Sequence, residues 1–374
     1  MKHLILCILL FFAPSAHSLS LNDLSVLLPL PRDLSERSLL LQPKDRGSFG
    51  DLIPMAIYKK LPQLLPESAN SVPYRNSLRV IAIRIDPCFF EGVGPQACRH
   101  QIRLVWQPVV QDSTGVTTRD AAVHSFYEMN EVDFSRLWPQ WRTLFSGLAA
   151  DPLQVQPQLR KEGLHGPTWR ALRDLVLKTC GAQNLVRVTT MALFSGEELW
   201  IFQGFDVVQG QVQEIKIPRI QETAQALVIG GPSFKAYTGI MAPSPEQDSQ
   251  LASLVQNSFA FLKTRPEVEV KELMNRLYEY ENPLKHNPGT LDCASCHVAQ
   301  QALSWGQQNY SFWDWKNGFD KFSYKSTWNL EPSIPSVLKT NQLRAFGYFT
   351  NQPAISQRVI NETAEAANWF SARQ

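Results

Sequence analysis

The sequence predicts an α+β protein, in which a strand-rich N-terminal domain of mostly antiparallel strands precedes a mainly helical and irregular C-terminal region. Segments between residues 77 and 217 alternate apolar and polar side chains with a period of two, which is typical of half-buried strands. Short turns separate consecutive segments, which favours antiparallel pairing. After residue 248, apolar residues recur at helical spacing instead.

The composition limits the possible functions. The chain has 374 residues, of which 44% are hydrophobic and 19% are charged, so we expect a packed core. The net charge is only +2. Nucleic acid is therefore excluded as the main partner, because neutralising phosphates requires a clustered basic excess.

Residues 1–18 have the pattern of a secretory signal peptide. Lys2 precedes an uncharged apolar run, and small residues precede a cleavage site after Ser18. The run is about half of the ~20 residues that a membrane-spanning helix needs, although a retained N-terminal anchor is the alternative. We expect no transmembrane segment in the mature chain, and a location in the periplasm or at the cell surface.

The following elements are predicted in chain order. Residues 19–74 form a Leu- and Pro-rich extended arm with one short helix around residues 52–61. Residues 75–240 form the α+β domain, with helices over 132–148 and from Pro167 to just before Gly181. The predicted strands of this domain are 77–85, 101–110, 121–129, 185–194, 199–208 and 212–217.

A linker is predicted at 241–248, where the sequence is rich in proline and polar residues. Apolar residues between Leu251 and Leu262 then fall on one helical face, and those between Val270 and Leu277 form a second amphipathic helix. Residues 249–374 make up the predicted C-terminal region.

Two of the cysteines that follow the signal peptide lie in a C-x-x-C-H motif formed by Cys293, Cys296 and His297. Two thiols three positions apart can each add to one vinyl group of a single porphyrin. The adjacent imidazole then lies beneath the iron as an axial ligand. The motif therefore predicts a covalently attached haem.

Three other kinds of site compete for this motif. A zinc site needs four donors, for which Cys293, Cys296, His297 and His286 are the candidates. A redox-active dithiol is expected at a strand-to-helix turn, and a plain disulfide across two residues is strained. We favour the haem over these three alternatives.

The motif at 293–297 is similar to that of the c-type cytochromes. The resemblance implies one covalent haem c attached at Cys293 and Cys296, with His297 as a ligand of the iron. No histidine or methionine follows His297, so a second ligand comes from upstream, or from a lysine or tyrosine, or the position is open.

Among the upstream histidines, His286 is the closest in sequence and is the candidate second metal ligand. It lies in a polar loop over residues 282–289, and an exposed loop histidine is the alternative interpretation. The other candidates are His100, His124 and His165.

Nine aromatic residues lie between positions 305 and 328. We expect them to form a wall that shields the porphyrin from water. The alternative is an irregular segment whose rings pack against the neighbouring domain. Lys316, Lys321 and Lys325 could neutralise the haem propionates.

The remaining cysteines have structural roles in this prediction. Cys88 and Cys98 flank a short loop between two predicted strands, and we expect a disulfide between them. Cys180 is expected to be a buried, inert thiol.

The sequence therefore predicts an exported, c-type cytochrome-like protein that transfers single electrons between redox partner proteins. A haem enzyme or sensor with an open distal position, with peroxidase-like activity, is the first alternative. A partner-binding protein with an accessory haem is the second. The choice depends on the distal ligand, because two strong axial ligands leave no place for a substrate.

Overall fold

The computed structural model describes residues 19–61, 75–90, 98–145, 150–194, 199–228, 239–240, 249–331, 343 and 345–373. The predicted signal peptide at 1–18 and the predicted linker at 241–248 lie outside the described residues.

A large antiparallel sheet forms the centre of the molecule, which confirms the predicted α+β class. The strand order is β1-β4-β5-β7-β8-β9-β11-β12, with β6 paired to β5 and β10 paired to β9. Two small hairpins, β2-β3 and β13-β14, form separate two-stranded sheets. The strands are β1 (Ser25–Leu27), β2 (Arg46–Gly47), β3 (Gly50–Asp51), β4 (Leu78–Phe89), β5 (Arg99–Asp112), β6 (Gly115–Thr118), β7 (Ala121–Met129), β8 (Leu185–Phe194), β9 (Leu199–Val208), β10 (Gln211–Glu214), β11 (Ala224–Val228), β12 (Gly239–Ile240), β13 (Phe346–Phe349) and β14 (Gln352–Ile355).

The longer helices lie outside the sheet, most of them in the C-terminal part of the chain. The helices are α1 (Leu21–Leu24), α2 (Met55–Tyr58), α3 (Glu131–Arg142), α4 (Pro157–Glu162), α5 (Pro167–Thr179), α6 (Ser249–Gln256), α7 (Ser258–Thr264), α8 (Glu267–Tyr280), α9 (Cys293–Asn309) and α10 (Gln357–Ser371). Within the described residues, no helix combines the length and the apolar character that crossing a bilayer requires.

Most predicted elements coincide with observed ones. Strands β7, β8 and β9 have the predicted bounds, and β4 and β5 are longer than predicted. Helix α3 ends at Arg142, earlier than predicted and three residues after Pro139, whose ring removes one backbone donor. The last predicted strand is shorter, and ends at Glu214.

The pleat of β7 shows how the sheet separates two hydrophobic cores. Ala121, Val123 and Tyr127 belong to a core shared with the N-terminal segment, α5 and α10. Ala122 belongs to a second core, shared with α6, α8 and α9. Because successive side chains of a strand point to opposite faces, the even-numbered residues of β7 face the side on which α9 packs.

The Leu- and Pro-rich N-terminal segment is part of the first core. Ser25–Leu27 form the edge strand β1, which pairs with β4, and Leu21 and Leu24 are fully buried. The predicted short helix in this segment is α2.

The C-terminal hairpin and helix α10 were not predicted from the sequence. Ser356 caps α10 by accepting a hydrogen bond from the Val359 N–H. The helix packs near α1, where the hydroxyls of Ser25 and Thr363 are 2.7 Å apart. This packing places the polar side chains of the first turns of α10 beside the sheet.

Candidate functional site

The C-x-x-C-H motif forms the first turn of α9. Asp292 caps the helix, since its carboxylate accepts a hydrogen bond from the Ser295 N–H at 3.0 Å. Residues three and four positions apart share one face of a helix, so Cys293, Cys296 and His297 point in the same direction. All three side chains are half-buried and line a single cleft.

This cleft lies between the sheet face of β7–β9 and the first turns of α9 and α10. It contains about 1170 Å³ of space that no protein atom fills, its open mouth included. The wall is largely apolar, and its apolar side chains include Phe89, Ala122, Phe126, Met191, Phe202 and Leu291.

His124 also lines the cleft, from the opposite side to the motif. It is a residue of β7, and Ala122 and Phe126 on either side of it on the same face line the cleft as well. The His297 ring packs against Phe202 of β9, with 5.0 Å between ring centroids. Two imidazoles from distant parts of the chain therefore meet in one cleft.

The other histidines of the described residues are engaged elsewhere. His100 is buried. Its Nδ1 lies 2.5 Å from the Pro87 carbonyl oxygen, and its Nε2 lies 2.5 Å from the Glu131 carboxylate. His165 is largely exposed and lies 3.5 Å from Glu36.

His286 is not brought into the cleft. Its ring packs edge-on against Tyr280 at 5.3 Å, and its Nδ1 lies 3.4 Å from the Thr290 hydroxyl. The neighbouring Asn287 and Pro288 line the cleft in its place. The structure therefore does not unite His286 with the motif, although sequence proximity suggested it.

Burial keeps the reactive groups of the cleft uncharged at neutral pH. It lowers the pKa of His297 to about 4. Burial, Arg103 and His297 together lower the pKa of His124 to about 3. Burial also raises the pKa of both motif thiols to about 12. Neither imidazole has a hydrogen-bond partner among the described residues, so each offers a free nitrogen lone pair.

A buried charge cluster borders the cleft. Arg84 pairs with Asp86 at 2.6 Å and with Glu362 at 2.5 Å, and Arg358 pairs with Glu362 at 2.7 Å. Burial alone would raise the pKa of Glu362, but Arg358, Arg84 and Arg103 hold it well below its ordinary value. The cluster therefore keeps Glu362 ionised beside the cleft.

Arg103 is paired less closely than Arg84 and Arg358, the other two arginines of this cluster. Its guanidinium lies 4.7 Å from the centroid of the Phe126 ring and 3.5 Å from Asp86. Its Nε is buried without a hydrogen-bond partner in the described structure. Arg187, paired with Asp206 at 2.7 Å, lines the same cleft. Planar guanidinium groups in such positions suit carboxylate ligands.

These residues fit a haem better than a zinc ion. Within the described residues, no three His, Cys, Asp or Glu side chains are grouped as a metal ion requires, so the candidate zinc donors of the motif and His286 are not assembled. The two thiols and His297 instead face an apolar cleft bordered by arginines. This is the environment that a porphyrin with carboxylate substituents needs.

The aromatic segment at 305–328 does not form the wall of the cleft, which corrects the expectation from the sequence. Its rings pack on one another and in the second core, with Trp315 and Phe319 stacked at 4.8 Å. Lys316, Lys321 and Lys325 do not line the cleft either. The aromatic wall comes from three strands, and its rings are Phe89, Phe126 and Phe202.

The predicted disulfide between Cys88 and Cys98 is present, with 4.5 Å between the Cα atoms. It joins the end of β4 to the residue that precedes β5. Cys180 is a free and buried thiol, as predicted, and burial raises its pKa.

Comparison with known proteins adds nothing to this geometry. No protein-family model, no curated protein and no solved structure matches the chain.

Proposed function

We propose that this protein binds one covalent haem c and transfers single electrons between redox partner proteins outside the cytoplasm. The observation that carries the proposal is that Cys293, Cys296 and His297 open side by side into one apolar cleft. When bound there, the haem supplies an iron that exchanges one electron at a time.

The chain's own residues have separable roles in this proposal. Cys293 and Cys296 tether the porphyrin through thioethers, and His297 provides an imidazole ligand. The apolar side chains that line the cleft keep water away from the macrocycle, which tunes its potential. Arg103 and Arg187 supply positive charge for the haem carboxylates.

The attachment is tested by making the full chain in a host that matures c-type cytochromes. We expect a haem band that stays with the polypeptide after denaturation, and a mass increased by one haem. The double variant Cys293→Ser/Cys296→Ser should lose the band. Cys180→Ser is the matched control and should keep it, because Cys180 lies outside the cleft. A colourless wild-type protein would overturn the proposal.

Electron transfer is tested on the same material. We expect a reversible one-electron wave in voltammetry and no binding of carbon monoxide to the reduced protein. Carbon monoxide binding together with turnover of peroxide would instead favour the haem enzyme with an open distal position.

A further inference from the structure

We propose that His124 is the second axial ligand of the iron, opposite His297. This inference rests on the proposed haem attachment. It bears on whether the iron has a free coordination position for a substrate. His124 is far from the motif in sequence, whereas His286, the candidate that the sequence suggests, is close to it.

The position of His124 on the sheet supports this assignment. It lies on the face of β7 that is turned towards α9, between Ala122 and Phe126, and all three side chains line the cleft. The motif approaches from α9 on the other side. The two imidazoles therefore belong to facing walls, as two ligands of one iron must.

The strand register places the two imidazoles over different parts of one sheet face. His124 pairs with Thr189 of β8, and Thr189 pairs with Gly204 of β9. Phe202, on which the His297 ring packs, lies two residues from Gly204. With strands about 4.8 Å apart and a rise of about 3.4 Å per residue, the backbones of His124 and Phe202 are about 12 Å apart. His124 and His297 therefore enter the cleft over positions of the sheet that are two strands apart.

The hydrogen bonding of the His124 ring is a second observation in favour of this assignment. His124 has no hydrogen-bond partner among the described residues, whereas the buried His100 uses both ring nitrogens. A neutral imidazole without a hydrogen-bond acceptor role keeps one nitrogen lone pair that can bind a metal. A bond to iron would use this nitrogen of His124, whose side chain is half-buried and lines the cleft.

Met191 is the competing ligand, because it lines the cleft and its thioether can bind haem iron. It pairs with Ala122 on one side and Phe202 on the other, and it is 5% exposed within the second core. Its side chain is thus committed to packing, whereas that of His124 is half-buried and open to the cleft.

Two imidazole ligands have a direct functional consequence. With His124 and His297 both bound to the iron, a haem held here would pass electrons and would leave no coordination position for a substrate. Two imidazoles also lower the reduction potential relative to a histidine and methionine pair.

The test uses optical and electron paramagnetic resonance spectra of the full-length protein carrying covalent haem. We expect a low-spin wild type that does not bind carbon monoxide. His124→Ala should keep the covalent haem but become high-spin, and its reduced form should bind carbon monoxide. Added imidazole should restore the low-spin spectrum, which a merely structural defect would not allow. His286→Ala and Met191→Leu are the matched controls, and both should stay low-spin.

The outcomes separate this inference from the attachment on which it rests. Absence of covalent haem in the wild type overturns both. A wild type that is already high-spin, or a His124→Ala variant that stays low-spin, overturns the role of His124 but leaves the attachment standing. If His124→Ala does not fold, His124→Met takes its place. A methionine-to-iron absorption band and a raised potential would support the assignment, and an unchanged spectrum would overturn it.

Discussion

Gln225 and Asp292 are joined by a hydrogen bond of 2.8 Å between the side-chain amide of β11 and the capping carboxylate of α9. The amide oxygen of Gln225 also accepts a hydrogen bond from the Ala294 N–H at 2.8 Å. Gln225 is 1% exposed and Asp292 is fully buried. One side chain of the sheet thus fixes the start of the helix that carries the motif.

Replacing this side chain should loosen the site. We expect Gln225→Ala to lower the free energy of unfolding by about 1–3 kcal/mol, because it leaves the buried Ala294 N–H without its partner and removes one of the two donors to the Asp292 carboxylate. Urea unfolding of the protein before haem attachment measures this change. The exposed Gln213 of β10 is the matched control, and Gln213→Ala should have little effect. Equal stability of the two variants would contradict the role given to Gln225.

Arg103 should tune the reduction potential of the proposed haem. Removing its positive charge in Arg103→Gln favours the oxidised form, which carries one more positive charge. We therefore expect the potential to fall by tens of millivolts, an effect on the scale of charges a few ångströms apart in a protein.

Two variants control for this effect in the same voltammetric measurement. Arg103→Lys keeps the charge and should recover most of the potential. Arg99→Gln removes an exposed arginine that pairs with Glu128 outside the cleft, and it should change the potential little. A larger shift in Arg99→Gln than in Arg103→Gln would count against the assignment.

Glu281 should make stability depend on pH. Burial raises its pKa from 4.5 to about 8, although Arg358 partly offsets this, and neither carboxylate oxygen has a hydrogen-bond partner in the described structure. Between these two pH values the folded protein therefore holds a proton that the unfolded chain releases, so stability falls as the pH rises.

The variant Glu281→Gln removes this dependence. Between pH 5 and pH 8, the free energy of unfolding of the wild type should fall more than that of the variant, by on the order of 3 kcal/mol. Urea unfolding at both pH values gives the comparison. Glu272→Gln, at an exposed position in the helix that ends just before Glu281, is the control. Parallel pH profiles for the wild type and Glu281→Gln would refute the expectation.

The disulfide between Cys88 and Cys98 should stabilise the sheet by restricting the unfolded chain. The bridged residues are 10 positions apart. For a loop of this size, Cys88→Ala/Cys98→Ala should lower the free energy of unfolding by about 2–3 kcal/mol. A reducing agent should lower the unfolding midpoint of the wild type but not that of the double variant. An identical response in both proteins would show that the bridge contributes nothing.

The regular part of the fold could be predicted because its signals are local. The bounds of Ala121–Met129, Leu185–Phe194 and Leu199–Val208 follow from two-residue alternation and flanking turns. Helix α10 also carries a local signal, in which Val359, Ile360 and Thr363 share one face. Three positions are too few to predict the bounds of a helix.

The cleft could be predicted only in part, because it depends on contacts between distant segments. The motif at 293–297 is visible in the sequence, but nothing around His124 distinguishes it from His100, which is a hydrogen-bonded residue of the neighbouring strand. Only the pairing of β7 with β8, and of β8 with β9, shows that His124 faces α9. The density of aromatic residues at 305–328 suggests a wall of the cleft, but those rings pack on each other instead. The local sequence does not specify which partners the rings contact in the folded chain.

The cleft takes one wall from the central strands and the other from a helix that comes later in the chain. Neither wall alone therefore contains the complete cleft. A graft of the helical segment onto another scaffold would carry Cys293, Cys296 and His297 without His124 and without the apolar side chains of the sheet. Transferring the whole cleft to another protein would require the strands as well.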